Sequence, residues 1–357
     1  MRKIVLFALI ALSTAAAGEG APANKDRVAR YFEGWYSFCP GTKVAVSDAP
    51  EIRLPGYEAY KVERSCELKN RNEMSVTLVD PARNEIFVGD VLFDGSRKDR
   101  PFSPASDTPV IEGALKQAFG VPATMKLEPA SRGQLLPIRV SLEQAPKATA
   151  RFSGFVSQDG AALLIGEFRP LDVPPDVYRE RILGESHGVR PPKGNFFVTA
   201  FIDFQCERCR KRTPEVRDFA WSRGGALEIR FLPLVKVHDW SFAAAECAAA
   251  LSNVSPALYT KYEEAVFPRA GSFDAAAARQ VAADVADAAG ARAAFDAELS
   301  SGRARDRVVR DIEVALRLGL VGTPTFFYRG TFITSEDGLA EKAIERRQGG
   351  SSGAPAR

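Results

Sequence analysis

Residues 201–213 read FIDFQCERCRKRT. Two cysteines stand three apart, behind an apolar run and in front of a cluster of positive charge. Phe196 to Phe204 is almost unbroken in its apolar character, which suits a strand buried on both faces. A helix is predicted to follow from about Cys206 to Trp221. A cysteine pair at such a junction is a metal clip, a structural staple or a reactive dithiol.

Position argues for reactivity. The first turn of a helix leaves backbone N–H groups unpaired and carries the positive end of the dipole, and both favour a thiolate over a thiol. The thiolate is the species that attacks a disulfide. Cys206 is therefore the candidate attacker, and Cys209, one turn deeper, the candidate resolving thiol. Arg208, Arg210, Lys211 and Arg212 add positive charge and Glu207 opposes it, so the expected net direction of the Cys206 pKa is downwards. A structural zinc site wants four ligands, and the chain has two histidines. Neither His187 nor His238 stands at a ligand spacing, so no metal is expected; His238 is read as part of a surface turn.

Downstream, Gly224–Gly225 leads to a second strand at Ala226 to Leu232. Residues 241–318 are alanine-rich and helical in period, and VGTPTFFYRG (321–330) opens a further strand. Phe332–Ile333 supplies its neighbour, and a last helix is predicted from about Gly338 to Arg347. Strand, dithiol-headed helix, strand, helical insert, strand pair and helix together describe an α/β sheet.

Upstream, residues 171–195 hold four prolines and three glycines around one short helical stretch, Asp176 to Leu183, and read as a linker. Before them lies a weak repeat. VDPARNEIFVGDV (79–91) matches VSQDGAALLIGEF (156–168) at a constant offset of 77. Each copy reads as a hairpin ending in an apolar strand, preceded by a helical pattern at Arg27 to Phe38 or Val110 to Phe119. Two tandem α+β units, 25–95 and 108–170, are the simplest account.

The first residues, MRKIVLFALIALSTAAAGEG, place Arg2 and Lys3 before a short apolar core and the small residues Ala15 to Ala17. That pattern predicts a signal peptide over 1–17, since Ile4 to Leu12 is too short to span about 30 Å of hydrocarbon. No later segment reaches 18 apolar residues. The net charge of +3 is spread through the chain, which gives no footprint for nucleic acid. Export predicts a periplasmic or extracytoplasmic location, where thiols pair or are kept reduced for a purpose. A disulfide between Cys39 and Cys66 is then expected, contributing roughly 3–4 kcal/mol on the loop-entropy argument. Cys247, in AAAECAAAL, reads as a small buried hydrophobe. The tail from 348 to 357 is expected to be disordered.

The dithiol at a strand–helix junction and the Thr323–Pro324 pair opening a later strand together resemble the thioredoxin superfamily. The resemblance is nearest to the bacterial disulfide-bond proteins DsbA, DsbC and DsbG, and it covers about 193–347. It implies a thioredoxin-like α/β domain at 196–347 with a helical insertion at about 241–318. It also implies a cis peptide before Pro324, a substrate contact at the Thr323 backbone, and thiol–disulfide exchange by Cys206 and Cys209 without a cofactor. Two departures stand out. The dipeptide Glu207–Arg208 replaces the Pro-His common in strong oxidants, leaving Arg208 to stabilise the thiolate. Ala200 stands where a buried acid often helps the deeper cysteine, with Asp203 the nearest acid. The segment GFVSQDGAALLIGEF resembles the cystatin-like dimerisation domain of DsbC and DsbG, so the two α+β units are expected to pack as an internal pair.

The functional expectation is an exported thiol:disulfide oxidoreductase acting on cysteines of other exported proteins, with isomerase or reductase action ahead of oxidase. Its redox partner would be a quinone-linked oxidase or a thiol reductant in the membrane. The competing expectation is an exported chaperone or docking module in which the thioredoxin domain is secondary.

Overall fold

The computed structural model describes residues 22–35, 41–66, 71–93, 102–191, 193–333 and 338–349. The predicted signal peptide, Cys39 and residues 350–357 lie outside them. Among the described residues no helix is long and apolar enough to cross a membrane.

The amino-terminal half repeats one unit. Helix α1 (Pro22–Trp35) precedes β1 (Lys43–Asp48), β2 (Glu58–Cys66), β3 (Arg71–Asp80) and β4 (Glu85–Phe93); α2 (Pro104–Phe119) precedes β5 (Ala123–Leu127), β6 (Leu135–Ala145), β7 (Ala148–Ser157) and β8 (Ala162–Pro170). All eight strands form one antiparallel sheet in the order β1-β2-β3-β4-β8-β7-β6-β5. The strands that end the two sequence repeats pair with each other, Gly89 opposite Gly166. Those two residues are also equivalent at the offset of 77, so the pairing has local two-fold symmetry. Each glycine sits at positive φ with its backbone against the opposite strand.

Alternation of side chains explains the apolar runs in β4 and β8. Ile86 and Val88 join one cluster with Val28 and Phe32 of α1, and Leu163 and Ile165 join another with Ile111 and Leu115 of α2. Phe87 and Leu164 point to the other face, where Ile52 and Leu54 of the β1–β2 connection cover them. Helix α2 begins six residues before the predicted start. Pro109 inside it makes the first turns look like a loop, yet Pro104 fits the first helical position. Asp107 reaches back to accept from Ser103 N at 2.8 Å.

The second half contains β9 (Phe197–Ile202), α4 (Glu207–Ser222) and β10 (Ala226–Phe231). A helical run follows: α5 (Ser241–Val254), α6 (Pro256–Val266), a 3-10 turn (Phe267–Ser272), α7 (Ala275–Ala288), α8 (Arg292–Ser301) and α9 (Arg303–Arg317). The chain closes with β11 (Thr325–Tyr328), β12 (Thr331–Ile333) and α10 (Leu339–Gly349). The sheet order is β10-β9-β11-β12, with β10 parallel to β9 and β11 antiparallel to both its neighbours. Helix α10 takes in Gln348 and Gly349, the first two residues of the expected tail.

The stretch 171–195, read by composition as a linker, is packed between the halves. Its helix α3 (Pro175–Gly184) buries Ile182 and Leu183, and Val189 bridges to Ile229 beside β10. Arg179, 1% exposed, donates to the carbonyls of Gly330 at 2.9 Å and Gly34 at 3.1 Å, and to that of Trp35. Prolines set the chain direction there, but buried apolar and guanidinium groups fix its place, and composition does not reveal them.

Candidate active site

Strand β9 delivers the dithiol. Its last residues are buried, and a tight turn at Asp203–Gln205 follows, in which Asp203 Oδ1 accepts from Gln205 N at 2.8 Å. Cys206 is the N-cap of α4, with extended backbone angles, and is partly exposed. Cys209, one turn on, is 0% exposed; its sulfur accepts from Asp203 N at 3.4 Å. The Thr323–Pro324 peptide is cis. The Cys206 thiol donates to the Thr323 carbonyl at 3.4 Å. Residues 117 apart in sequence thus meet at the sulfur that faces solvent.

The two thiols titrate in opposite directions. Cys206 is pulled down to about 6, chiefly because the Cys209 thiol hydrogen-bonds its sulfur; burial pushes the other way. The Thr323 side chain and the backbone N–H groups of Cys209 and Arg208 add to the lowering. The Thr323 hydroxyl is buried with no hydrogen-bond partner in the protonated pair, so it is available to donate once the sulfur is charged. Burial pushes Cys209 well above the ordinary thiol range. A half-exposed thiolate backed by a buried thiol is the arrangement that disulfide exchange needs.

The positive cluster contributes differently from its sequence reading. Glu207 and Arg208 are exposed on the first turn, and the Arg208 backbone N–H helps to lower Cys206. Arg212 is 3% exposed and engaged by Glu341 at 3.0 Å and by Glu215, which offsets its charge. The histidine read as part of a surface turn does close a turn after β10, but the sequence does not show what its ring engages. His238 Nδ1 lies 2.8 Å from the buried Asp203 carboxylate, in the turn that carries the dithiol. Ala200 is fully buried in β9, and Asp203 supplies the buried acid of this turn. A separation of 35 residues and no shared motif hid the pair.

The remaining cysteines lie apart. Cys66, at the end of β2, is in a disulfide; its expected partner Cys39 is outside the described residues. Cys247 is 1% exposed in α5 and pushed up to about 12 by burial, which makes it an inert thiol. On alkylation of the reduced native protein across pH 5–8, Cys206 is expected to label first, with a midpoint at about pH 6. Below that pH its sulfur is protonated and slow. Faster labelling of Cys209 or Cys247, read by peptide mass, contradicts the assignment.

Residues 191–345 match the family model described as Thioredoxin, so this stretch is a thioredoxin-like domain, the fold that the resemblance implied. No curated protein matches the chain. Among solved structures, the thiol-disulfide exchange protein alpha-DsbA2 from Wolbachia pipientis is 14% identical, covering 50% of this chain and 99% of that one at a TM-score of 0.39. A thioredoxin-like oxidoreductase from Silicibacter pomeroyi is 21% identical over 47% of this chain and 96% of its own, at 0.39. Proteus mirabilis ScsC in a transitional conformation is 15% identical over 48% and 81%, also at 0.39.

Proposed function

We propose that the protein is an exported thiol:disulfide oxidoreductase that acts on cysteines of other exported proteins. One observation carries the reading: a partly exposed Cys206, its pKa near 6, lies against the Thr323–Pro324 peptide with buried Cys209 behind it. The Cys206 thiolate attacks a substrate disulfide, forming a Cys206–substrate bond and expelling the other substrate sulfur, which takes a proton. Cys209 then loses its proton and attacks Cys206, releasing the second substrate thiolate and leaving a Cys206–Cys209 disulfide. The substrate gains two electrons and the protein loses two. Reversal oxidises a substrate. Attack by another substrate cysteine on the mixed disulfide instead isomerises it with no net redox change.

A pKa near 6 lies between the roughly 3.5 of strongly oxidising DsbA and the roughly 7 of thioredoxin. The reading is therefore an intermediate potential, between about −120 and −270 mV, with isomerase or reductase action ahead of oxidase. Thr323 before the cis proline is similar to the DsbC-like and DsbG-like isomerases, whereas DsbA-type oxidants usually carry valine there, and it points the same way. The amino-terminal sheet, as a pair of cystatin-like units, would serve as the docking module for client chains. A disulfide at Cys66 suits an oxidising compartment, which supports the periplasmic or extracytoplasmic location and a membrane redox partner.

Refolding assays separate the activities. Rescue of a scrambled disulfide substrate, with slow oxidation of the reduced one, is the expected result. Fast oxidation of the reduced substrate without rescue of the scrambled one would replace the isomerase reading by an oxidase.

A further inference from the structure

Four hydrogen bonds stitch residues 234–240, the loop between β10 and α5, to the turn that carries the dithiol. The Asp203 carboxylate accepts from Leu234 N at 2.7 Å and holds His238 Nδ1 at 2.8 Å. Gln205 donates to Asp239 Oδ1 at 3.0 Å and accepts from Trp240 N at 3.2 Å. Asp203 in turn touches both cysteines through its backbone: its carbonyl accepts from Cys206 N at 3.2 Å and its N–H donates to the Cys209 sulfur. The carboxylate is 0% exposed and the imidazole 21%. A buried carboxylate is costly without a charged partner, and His238, raised above its ordinary range, is the titratable group hydrogen-bonded to it.

The ring touches Asp203 of the β9–α4 turn, and the other acids that act on its charge are Cys206 at the head of α4 and Asp239 on its own loop. They hold His238 above its ordinary range, the Asp203 hydrogen bond most and burial opposing. Arg212, buried in α4, pairs with Glu341 and Glu215.

We propose that His238, held as an imidazolium by Asp203, is a positioning residue that stabilises the Cys206 thiolate and makes the pair more oxidising. This rests on the reading of Cys206–Cys209 as a redox couple. In the reduced protein Cys206 is a thiolate, Cys209 keeps its proton and His238 is charged. In the disulfide Cys206 carries no charge, and the attraction vanishes. A favourable charge pair present only in the reduced state raises the potential. It operates from the pH at which Cys206 ionises to the pH at which His238 loses its proton, two midpoints that belong to the pair.

Full-length H238Q and H238R proteins test this by thiolate ultraviolet absorbance against pH and by equilibration with glutathione. In H238Q the Cys206 midpoint should rise. The equilibrium should shift toward the disulfide by roughly 3–10-fold, the upper figure being about 30 mV. Wild type and H238Q should converge at high pH, where His238 is neutral. H238R should keep the wild-type Cys206 midpoint and show no such convergence, which a merely structural role would not produce. An unmoved midpoint and equilibrium in H238Q, or H238R behaving as H238Q does, overturns this inference alone. A wild-type protein that forms no couple with glutathione overturns the redox reading and this inference together.

Discussion

Cys206→Ser protein is expected to fall to the uncatalysed background in disulfide reduction and isomerisation while keeping the wild-type fold. Cys209→Ser protein is expected to complete the first exchange and stall as a mixed disulfide, visible as covalent adducts by intact mass. The asymmetry follows from burial: Cys206 is reachable, whereas Cys209 is sealed beneath it. Cys247→Ala should leave the rate within about two-fold, since a thiol raised to about 12 and buried in α5 holds almost no thiolate. The low Cys206 pKa is worth less in attack than it first suggests. A drop from 9.0 to about 6 raises the thiolate fraction at pH 7 by about 90-fold. Each thiolate is then a weaker nucleophile, and a Brønsted slope of about 0.4–0.5 takes back roughly 16–32-fold. The net gain in attack is only about 3–6-fold, so the larger benefit is a Cys206 that leaves readily when another substrate cysteine attacks the mixed disulfide. Exchange that persists at half the wild-type rate in Cys206→Ser would remove Cys206 from its role. Aggregation suppression that survives in the same variant, with exchange lost, would mark a separate docking activity of the amino-terminal sheet.

The dithiol and the proline loop were legible because each is a local pattern: an apolar strand running into a helix head, and Thr-Pro before β-formers. Burial was not legible. Arg208 and Arg212 look alike in sequence, yet one is exposed and the other is enclosed by Glu215 and Glu341. The Asp203–His238 pair depends on the return of the chain after β10 past the end of β9, a tertiary event that leaves no trace in spacing. Residues 171–195 make the same point, since their short helix is legible and its burial is not. Proline and glycine announce turns but say nothing about whether an Arg179 between them is buried against Trp35. In the amino-terminal half the offset of 77 and an internal pair of copies are legible in the sequence, whereas their joining edge to edge through β4 and β8 is not.

That pairing makes the Gly89–Gly166 seam the most sensitive place in the sheet. Gly89→Ala is expected to destabilise the protein by roughly 2–4 kcal/mol. A Cβ on Gly89 would stand 2.1 Å from the Ile165 carbonyl oxygen and 2.8 Å from the Gly166 Cα, and one on Gly166 would stand 2.2 Å from the Val88 oxygen. These neighbours are backbone atoms of a paired strand, so they cannot swing aside as a side chain would. Both glycines also sit at positive φ, 154° and 148°, where a side chain is strained whatever the space. Relief requires the two strands to part, which opens the join between the repeats. The double substitution should therefore cost less than the two singles added, because the first Cβ has already spread the seam. Gly113→Ala, on the exposed face of α2 with no heavy atom within 4 Å of its Cβ position, is the control. It should stabilise by about 0.5–1 kcal/mol through helix propensity. Urea unfolding midpoints give the ranking, and amide exchange in β4 and β8 locates the loss. A Gly89→Ala protein as stable as wild type, with those amides equally protected, would mean that the two repeats are not joined through this strand pair.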